Sequence, residues 1–187
     1  MNRRELLCTG LTALGGARVA VSGTTFQGAV PAQDQRERLL GAAREIMKAA
    51  RYCALITQDA TGRAQARAMD AFPPDDAMVV WFGTNPLSRK VTEIGRDPRV
   101  TLYYFDPQAQ GYVTILGRAR LVDDPKEKKA RWKDAWKEFY PDRGKDYLLI
   151  AVTPERIEVV SPKHGVEGKS ATWSTPSVEM APAPRQP

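Results

Sequence analysis

The sequence predicts a mainly β, α+β domain, a small closed antiparallel barrel with short flanking helices at its corners. Three observations carry this reading. Six or seven short segments that are apolar or alternate with period two follow one another along the chain. Residues with turn chemistry separate them, and the helical stretches between them are few. A sheet of that many strands in so short a chain is best closed on itself, because closure removes exposed strand edges.

The first element is helical. From Gln33 to Arg51, Leu39, Ala43, Ile46, Met47 and Ala50 recur at helical spacing, with Arg36, Arg44 and Lys48 off the stripe. This predicts an amphipathic helix that closes one end of the sheet. Tyr52 to Thr57 is an apolar strand, and Asp59-Ala60-Thr61-Gly62 turns the chain. Arg63 to Ala71 then alternates: Arg63, Gln65, Arg67 and Met69 on one face, Ala64, Ala66, Ala68 and Asp70 on the other. The alanine face suits close packing, and the longer face suits a ligand or a partner. Pro73 to Asp76 turns the chain back into the strand Met78 to Gly83, completing a meander. Asn85 is a good N-cap and Pro86 suits a first helical position, so a short helix is expected there, ending between Gly95 and Pro98. Strands Arg99 to Phe105 and Tyr112 to Val122 follow. Asp124-Pro125 is expected to cap a helix to about Tyr140, with Trp132, Trp136 and Phe139 buried. Two further strands, Tyr147 to Thr153 and Arg156 to Val160, complete the sheet, and the residues after Pro176 read as a flexible tail.

At 187 residues one domain is the default. The net charge of +6 comes from cations interleaved with acids, which argues for solubility and an anionic ligand over a nucleic-acid stripe. No dinucleotide fingerprint, P-loop, zinc-ligand spacing or nucleophile elbow occurs.

Residues 1–32 have the pattern of a secretory signal. Arg3-Arg4 precedes a short apolar run from Leu11 to Val21, and a small-residue stretch ends at Ala32. The paired arginines favour the twin-arginine route, which carries folded, cofactor-loaded cargo, so a periplasmic or secreted protein is expected. The barrel domain then spans residues 33–165, and residues 166–187 form a partly flexible extension. Removal of the signal takes Cys8 away and leaves Cys53, which reads as a buried small apolar residue.

The segment from Trp81 to Lys90 carries the chemistry. A strand ends, a capped helix begins, and its first turn presents Ser88, Arg89 and Lys90. Backbone N–H groups and the positive end of a helix dipole favour an anion there, and Arg67 on the neighbouring strand is in reach. A phosphate monoester suits this set, whereas the alternative is a solvated helix start with exposed cations.

Thr84-Asn85-x-x-Ser88-Arg89-Lys90, behind the Trp81-Phe82 strand and Arg67-Ala68-Met69, resembles the FMN-binding signature of the pyridoxamine phosphate oxidase-like split-barrel family. Asp97-Pro98-Arg99-Val100, Gly117 and Pro154-Glu155-Arg156-Ile157-Glu158 extend the resemblance over about Leu39 to Val160. It implies a split barrel, FMN as cofactor, and a homodimer with the flavin site at the subunit interface. It further implies phosphate ligands at Arg67, Ser88, Arg89 and Lys90. The flavin ring and ribityl chain would lie along Ala68, Met69, Asp70, Gly83 and Thr84. True vitamin B6 oxidases differ: Phe72 stands where they have a lysine, and their C-terminal Arg-x-His is not reproduced by Pro162-Lys163-His164-Gly165. The general stress protein branch is the closer match. The function expected is a flavin-dependent oxidoreductase, with no catalytic residue singled out and no metal. The alternatives are a non-catalytic flavin-binding protein or a haem- or deazaflavin-binding relative. His164, the sole histidine, is expected to be structural, with haem ligation as the alternative. Trp173 either covers the flavin or anchors the tail.

Overall fold

A computed structural model describes residues 32–181; the predicted signal and its Arg3-Arg4 pair lie outside them, apart from Ala32. Helix α1 (Ala32–Ala50) buries Leu39, Ala42, Ala43, Ile46 and Met47 in the core. It stops where Arg51 adopts a left-handed φ of 58° and returns its N–H to the Met47 carbonyl. Seven strands follow: β1 (Tyr52–Gln58), β2 (Ala64–Asp70), β3 (Val80–Thr84), β4 (Arg99–Asp106), β5 (Gly111–Val122), β6 (Leu148–Val160) and β7 (Ser177–Glu179). They form one antiparallel sheet in the order β2-β1-β4-β5-β6-β3, with β7 added to β6. A single bridge, Ala71 to Phe82, brings the outer strands β2 and β3 together. The barrel therefore closes at one corner and splits beyond it.

Helix α2 (Arg89–Arg96) packs on β1 and β5, and its side chains reach both β2 and β3 across the split. Its start corrects the sequence-based expectation. The Asn85 side chain accepts from the Leu87 N–H, and the Ser88 N–H donates to the Asn85 carbonyl. Residues 85–88 thus form a turn, with Pro86 in its second position, and Ser88 becomes the N-cap.

The expected helix to Tyr140 is also shorter. Helix α3 (Pro125–Ala130) is capped by Asp124, and only a 3-10 turn, Asp134–Trp136, follows. The Lys128 carbonyl, which a continuing helix would give to residue 132, accepts from Arg143, and the Arg131 carbonyl accepts from the Tyr147 hydroxyl. With those acceptors taken, the helix stops. Phe139 is 71% exposed, and Trp132, Trp136 and Tyr140 pack on Tyr147 to cover the outside of β3 and β6.

The last two strand segments are one strand. β6 runs through Pro154 and Glu155 because a bulge sets Pro154 opposite Gly117. Glycine is required there: a Cβ on Gly117 would lie 2.3 Å from the Thr153 carbonyl oxygen. The tail is not free throughout, since Val178 is buried in β7 and the Arg36 guanidinium donates to the Glu179 carbonyl. On β2 the longer face turns inward, with Met69 in the core, while Ala64, Ala66 and Ala68 are exposed on the outer face.

Candidate functional site

Three cations, three hydroxyls and one carboxylate meet at the split between β2 and β3. Antiparallel pairing places Arg67 across from Leu55, so its side chain turns inward beside Thr57. One guanidinium nitrogen donates to Thr57 Oγ1 at 2.5 Å, and the other donates to Glu93 Oε2 at 2.8 Å. Glu93, one turn into α2, is 3% exposed and holds Arg89 through its second oxygen, with Nε to Oε1 at 2.9 Å. Thr57 also donates to Glu93, at 2.5 Å. On the other side, Thr84 Oγ1 at the end of β3 accepts from Lys90 Nζ at 3.0 Å and lies 3.1 Å from Ser88 Oγ.

Electrostatics leave this cluster with a surplus of positive charge. Three cations face one buried carboxylate, a balance two charges short of neutral. Burial works to raise the Glu93 carboxyl; hydrogen bonds from Thr57 and Arg67 and the charges of both arginines outweigh it and hold the group below its ordinary value. Lys90 is shifted down, first by burial and then by the like charge of Arg67, with Glu93 opposing. Ser88 makes no side-chain cap hydrogen bond; the Val91 N–H donates to the Ser88 carbonyl, and the Arg89 and Lys90 N–H groups ahead of it are left to a ligand. A tetrahedral dianion meets each of these needs: it adds the missing negative charge, accepts from hydroxyls and guanidinium, and matches uncapped N–H groups.

Of the residues singled out from sequence, Arg67, Thr84, Ser88, Arg89 and Lys90 converge. Ala68 lies outward and exposed, and Met69 is buried in the core. Asp70 joins a different group, with Lys133 Nζ 2.9 Å away and Arg51 Nε 3.6 Å away. Gly83 backs onto the aromatic cluster, where a Cβ would stand 2.5 Å from the Trp136 ring. Sequence reasoning missed Glu93 and Thr57. The Arg89–Glu93 spacing of four was visible as a helical ion pair, but the contact with Arg67 depends on how α2 crosses the barrel.

His164 lies between the end of β6 and α1. Its Nδ1 lies 2.8 Å from Ser161 Oγ and its Nε2 3.0 Å from Glu45 of α1, tying the end of β6 to the helix. Cys53 is buried, and burial pushes its thiol up to about 12. Trp173 is exposed at a residue with φ of 53°.

A split antiparallel barrel with a cationic cradle at its seam defines a class, and comparison with known proteins gives the family. Residues 40–168 match the model of the family described as pyridoxamine 5'-phosphate oxidase like. The chain belongs to that family. Solved structures share the fold. A Clostridium acetobutylicum protein related to general stress protein 26 superimposes with a TM-score of 0.62 at 18% identity, over 78% of this chain and 96% of that one. General stress protein 26 of Bacillus anthracis gives 0.56 at 22% identity, over 67% and 92%. A pyridoxamine 5'-phosphate oxidase-related, FMN binding protein of Nostoc punctiforme gives 0.55 at 16% identity, over 83% and 100%. No curated protein matches the chain.

Proposed function

We propose that this chain is an exported, FMN-binding homodimer with oxidoreductase activity, its cofactor phosphate held by Arg67, Ser88, Arg89 and Lys90. The observation that carries the reading is the surplus of two positive charges around Glu93, in a chain whose family and fold neighbours include an FMN binding protein. The flavin ring and ribityl chain are assigned to the backbone around Ala68, Met69 and Asp70 together with Gly83 and Thr84, on the two strands flanking the split. Bound FMN would supply hydride or electron transfer. The protein's own part is anchoring and electrostatics. Glu93 fixes the two arginines, Thr84 orients the Lys90 ammonium, and the Thr84 and Ser88 hydroxyls can donate to the phosphate.

The dimer reading rests on the outer face of the sheet. Ala66, Ala68, Tyr103, Phe105, Tyr112 and Leu116 lie on neighbouring strands there, and Tyr103, Phe105 and Leu116 are exposed. Tyr104, between Tyr103 and Phe105 in the chain, is instead buried in the core because alternation turns it inward. A second copy is the occupant that would cover this apolar strip next to β2. Light scattering on the mature protein should give about twice the roughly 17 kDa that remains of the 20.7 kDa chain once the signal is removed, and a flavin-loaded monomer would exclude a shared site. Export rests on Arg3-Arg4 and the small residues ending at Ala32. Replacing both arginines with lysine should retain the precursor in the cytoplasm, and undiminished periplasmic yield would exclude the twin-arginine route.

The cradle itself is tested by Arg89→Ala. Loss of one or more charge-assisted hydrogen bonds, each about 1.5–3 kcal/mol, should weaken FMN binding roughly tenfold or more. Unchanged FMN affinity in a fluorescence titration would move the phosphate elsewhere.

A further inference from the structure

A second concave site lies at the other end of β2, where α1, the Phe72–Pro74 loop and the residue before the 3-10 turn come together. It is a cavity of about 550 Å³, a size that holds a small organic molecule. Four cations line it: Arg44, Lys48 and Arg51 from α1 and its end, and Lys133 from the opposite side. Asp70 is the only carboxylate in its wall, so the lining carries three positive charges in excess.

The cations are arranged differently from a solvated surface patch. Arg44 donates to the carbonyls of Asp75 and Asp76, at 2.9 and 3.0 Å, which fixes the guanidinium without neutralising it. Lys48 pairs with no carboxylate among the described residues. Lys133 stands 4.7 Å from the Phe72 ring centre and 4.8 Å from that of Trp136, held over the rings while it bonds Asp70. The remaining wall is apolar, made by Met47, Ala71, Phe72 and Tyr104. Tyr104 is 1% exposed, and its hydroxyl is buried without a sound hydrogen bond, the nearby Cys53 thiol being a weak partner. Asp70 Oδ1 is likewise buried without a hydrogen bond.

We infer that this cavity binds a small organic anion, its charged group among Lys48, Arg51 and Lys133 and its apolar body against Met47, Phe72 and Tyr104. An inorganic anion would leave the apolar wall uncovered, and a neutral apolar ligand would leave the excess charge unanswered. Binding itself follows from the cavity alone. Its role as the acceptor or donor pocket of the flavin rests on the FMN reading, through Asp70, which that reading sets beside the ring.

The test uses calorimetry on the mature protein with and without saturating FMN. The probes are benzoate, phenyl phosphate, benzamide and inorganic phosphate. Benzoate or phenyl phosphate should bind at least tenfold more tightly than benzamide and than inorganic phosphate. Lys48→Gln, a change on the exposed side of α1, should weaken the organic anion severalfold, and Lys48→Gln with Lys133→Gln at least tenfold. A circular dichroism melt and an FMN titration on each variant show that the fold and the cradle are intact. Equal binding of benzoate and benzamide, no binding of either organic anion, or wild-type affinity in the double variant would each overturn the inference. Because the anion is measured in FMN-free protein as well, failure of FMN to bind leaves this result readable, and the reverse holds.

Discussion

The seam of the barrel and the aromatic cluster on its flank both concentrate cations, and they use them in opposite ways. In the cluster, Arg131 lies 3.7 Å from the centre of the Trp81 ring, Arg120 lies 5.2 Å from it, and Arg143 lies 4.4 Å from Trp132. Those guanidinium groups are consumed by ring faces and by the Lys128 carbonyl, and they cover apolar surface. At the seam, Arg67, Arg89 and Lys90 share one carboxylate and two hydroxyls, which positions them without satisfying their charge. The first region spends its charge on packing and therefore on stability. The second keeps charge in reserve, at some cost in stability, and that is the signature of a binding site.

Substitutions in the two regions should separate these roles. Tyr147 is 1% exposed and meets Trp132, Trp136 and Tyr140, so Tyr147→Ala should cost about 3–5 kcal/mol in urea denaturation. A loss under about 1 kcal/mol would mean the cluster contributes little to the fold. Glu93→Gln leaves Arg67 and Arg89 without their counter-charge. It should cost about 2 kcal/mol, less than the roughly 3–5 kcal/mol of a fully buried pair because Arg89 is exposed. The Glu93 carboxyl lies below its unfolded value, so its contribution is complete above an ordinary glutamate pKa of about 4.3 and fades as pH falls through the lower folded value. The acid limb of the stability profile should flatten in Glu93→Gln, and an unchanged limb would remove Glu93 from that account. Arg89→Ala should change stability by about 0.5 kcal/mol or less while weakening FMN binding as stated above.

The cradle should also titrate. Bound phosphate favours charged Lys90, whose free-state pKa is lowered, so above the phosphate's own second pKa of about 6 FMN affinity should be level and then fall as pH rises through the Lys90 value. Lys90→Arg, charged throughout, should keep the affinity level over the same range. A parallel fall in both proteins would assign the titration to another group.

Much of this was legible in the sequence, for identifiable reasons. The period-two run in β2 and the buried stripe of α1 are local signals, and both elements form within a residue or two of expectation. Helix α2 begins late because an Asn-Pro pair serves a turn as readily as a cap, and the choice depends on where the Asn85 side chain bonds. The stretch after Pro125 leaves the helix because Arg143 and Tyr147, distant in sequence, take its carbonyls. The same limit applies to the site. Residues 84–90 announce themselves through spacing, whereas Glu93 acquires its role only when α2 crosses beneath Arg67. The cavity beside Asp70 joins α1 to Lys133 across more than eighty residues, and no local pattern reports it.

The central claim is that the seam recognises a phosphate, and comparing FMN with riboflavin on the same protein tests it most directly. The two ligands share the ring and ribityl chain and differ in that group alone. The account predicts that FMN binds about 100-fold or more tightly than riboflavin, the equivalent of two charge-assisted hydrogen bonds at about 1.5 kcal/mol each. Equal affinities would contradict it, because a cradle of three cations that ignores a dianion is not a phosphate site.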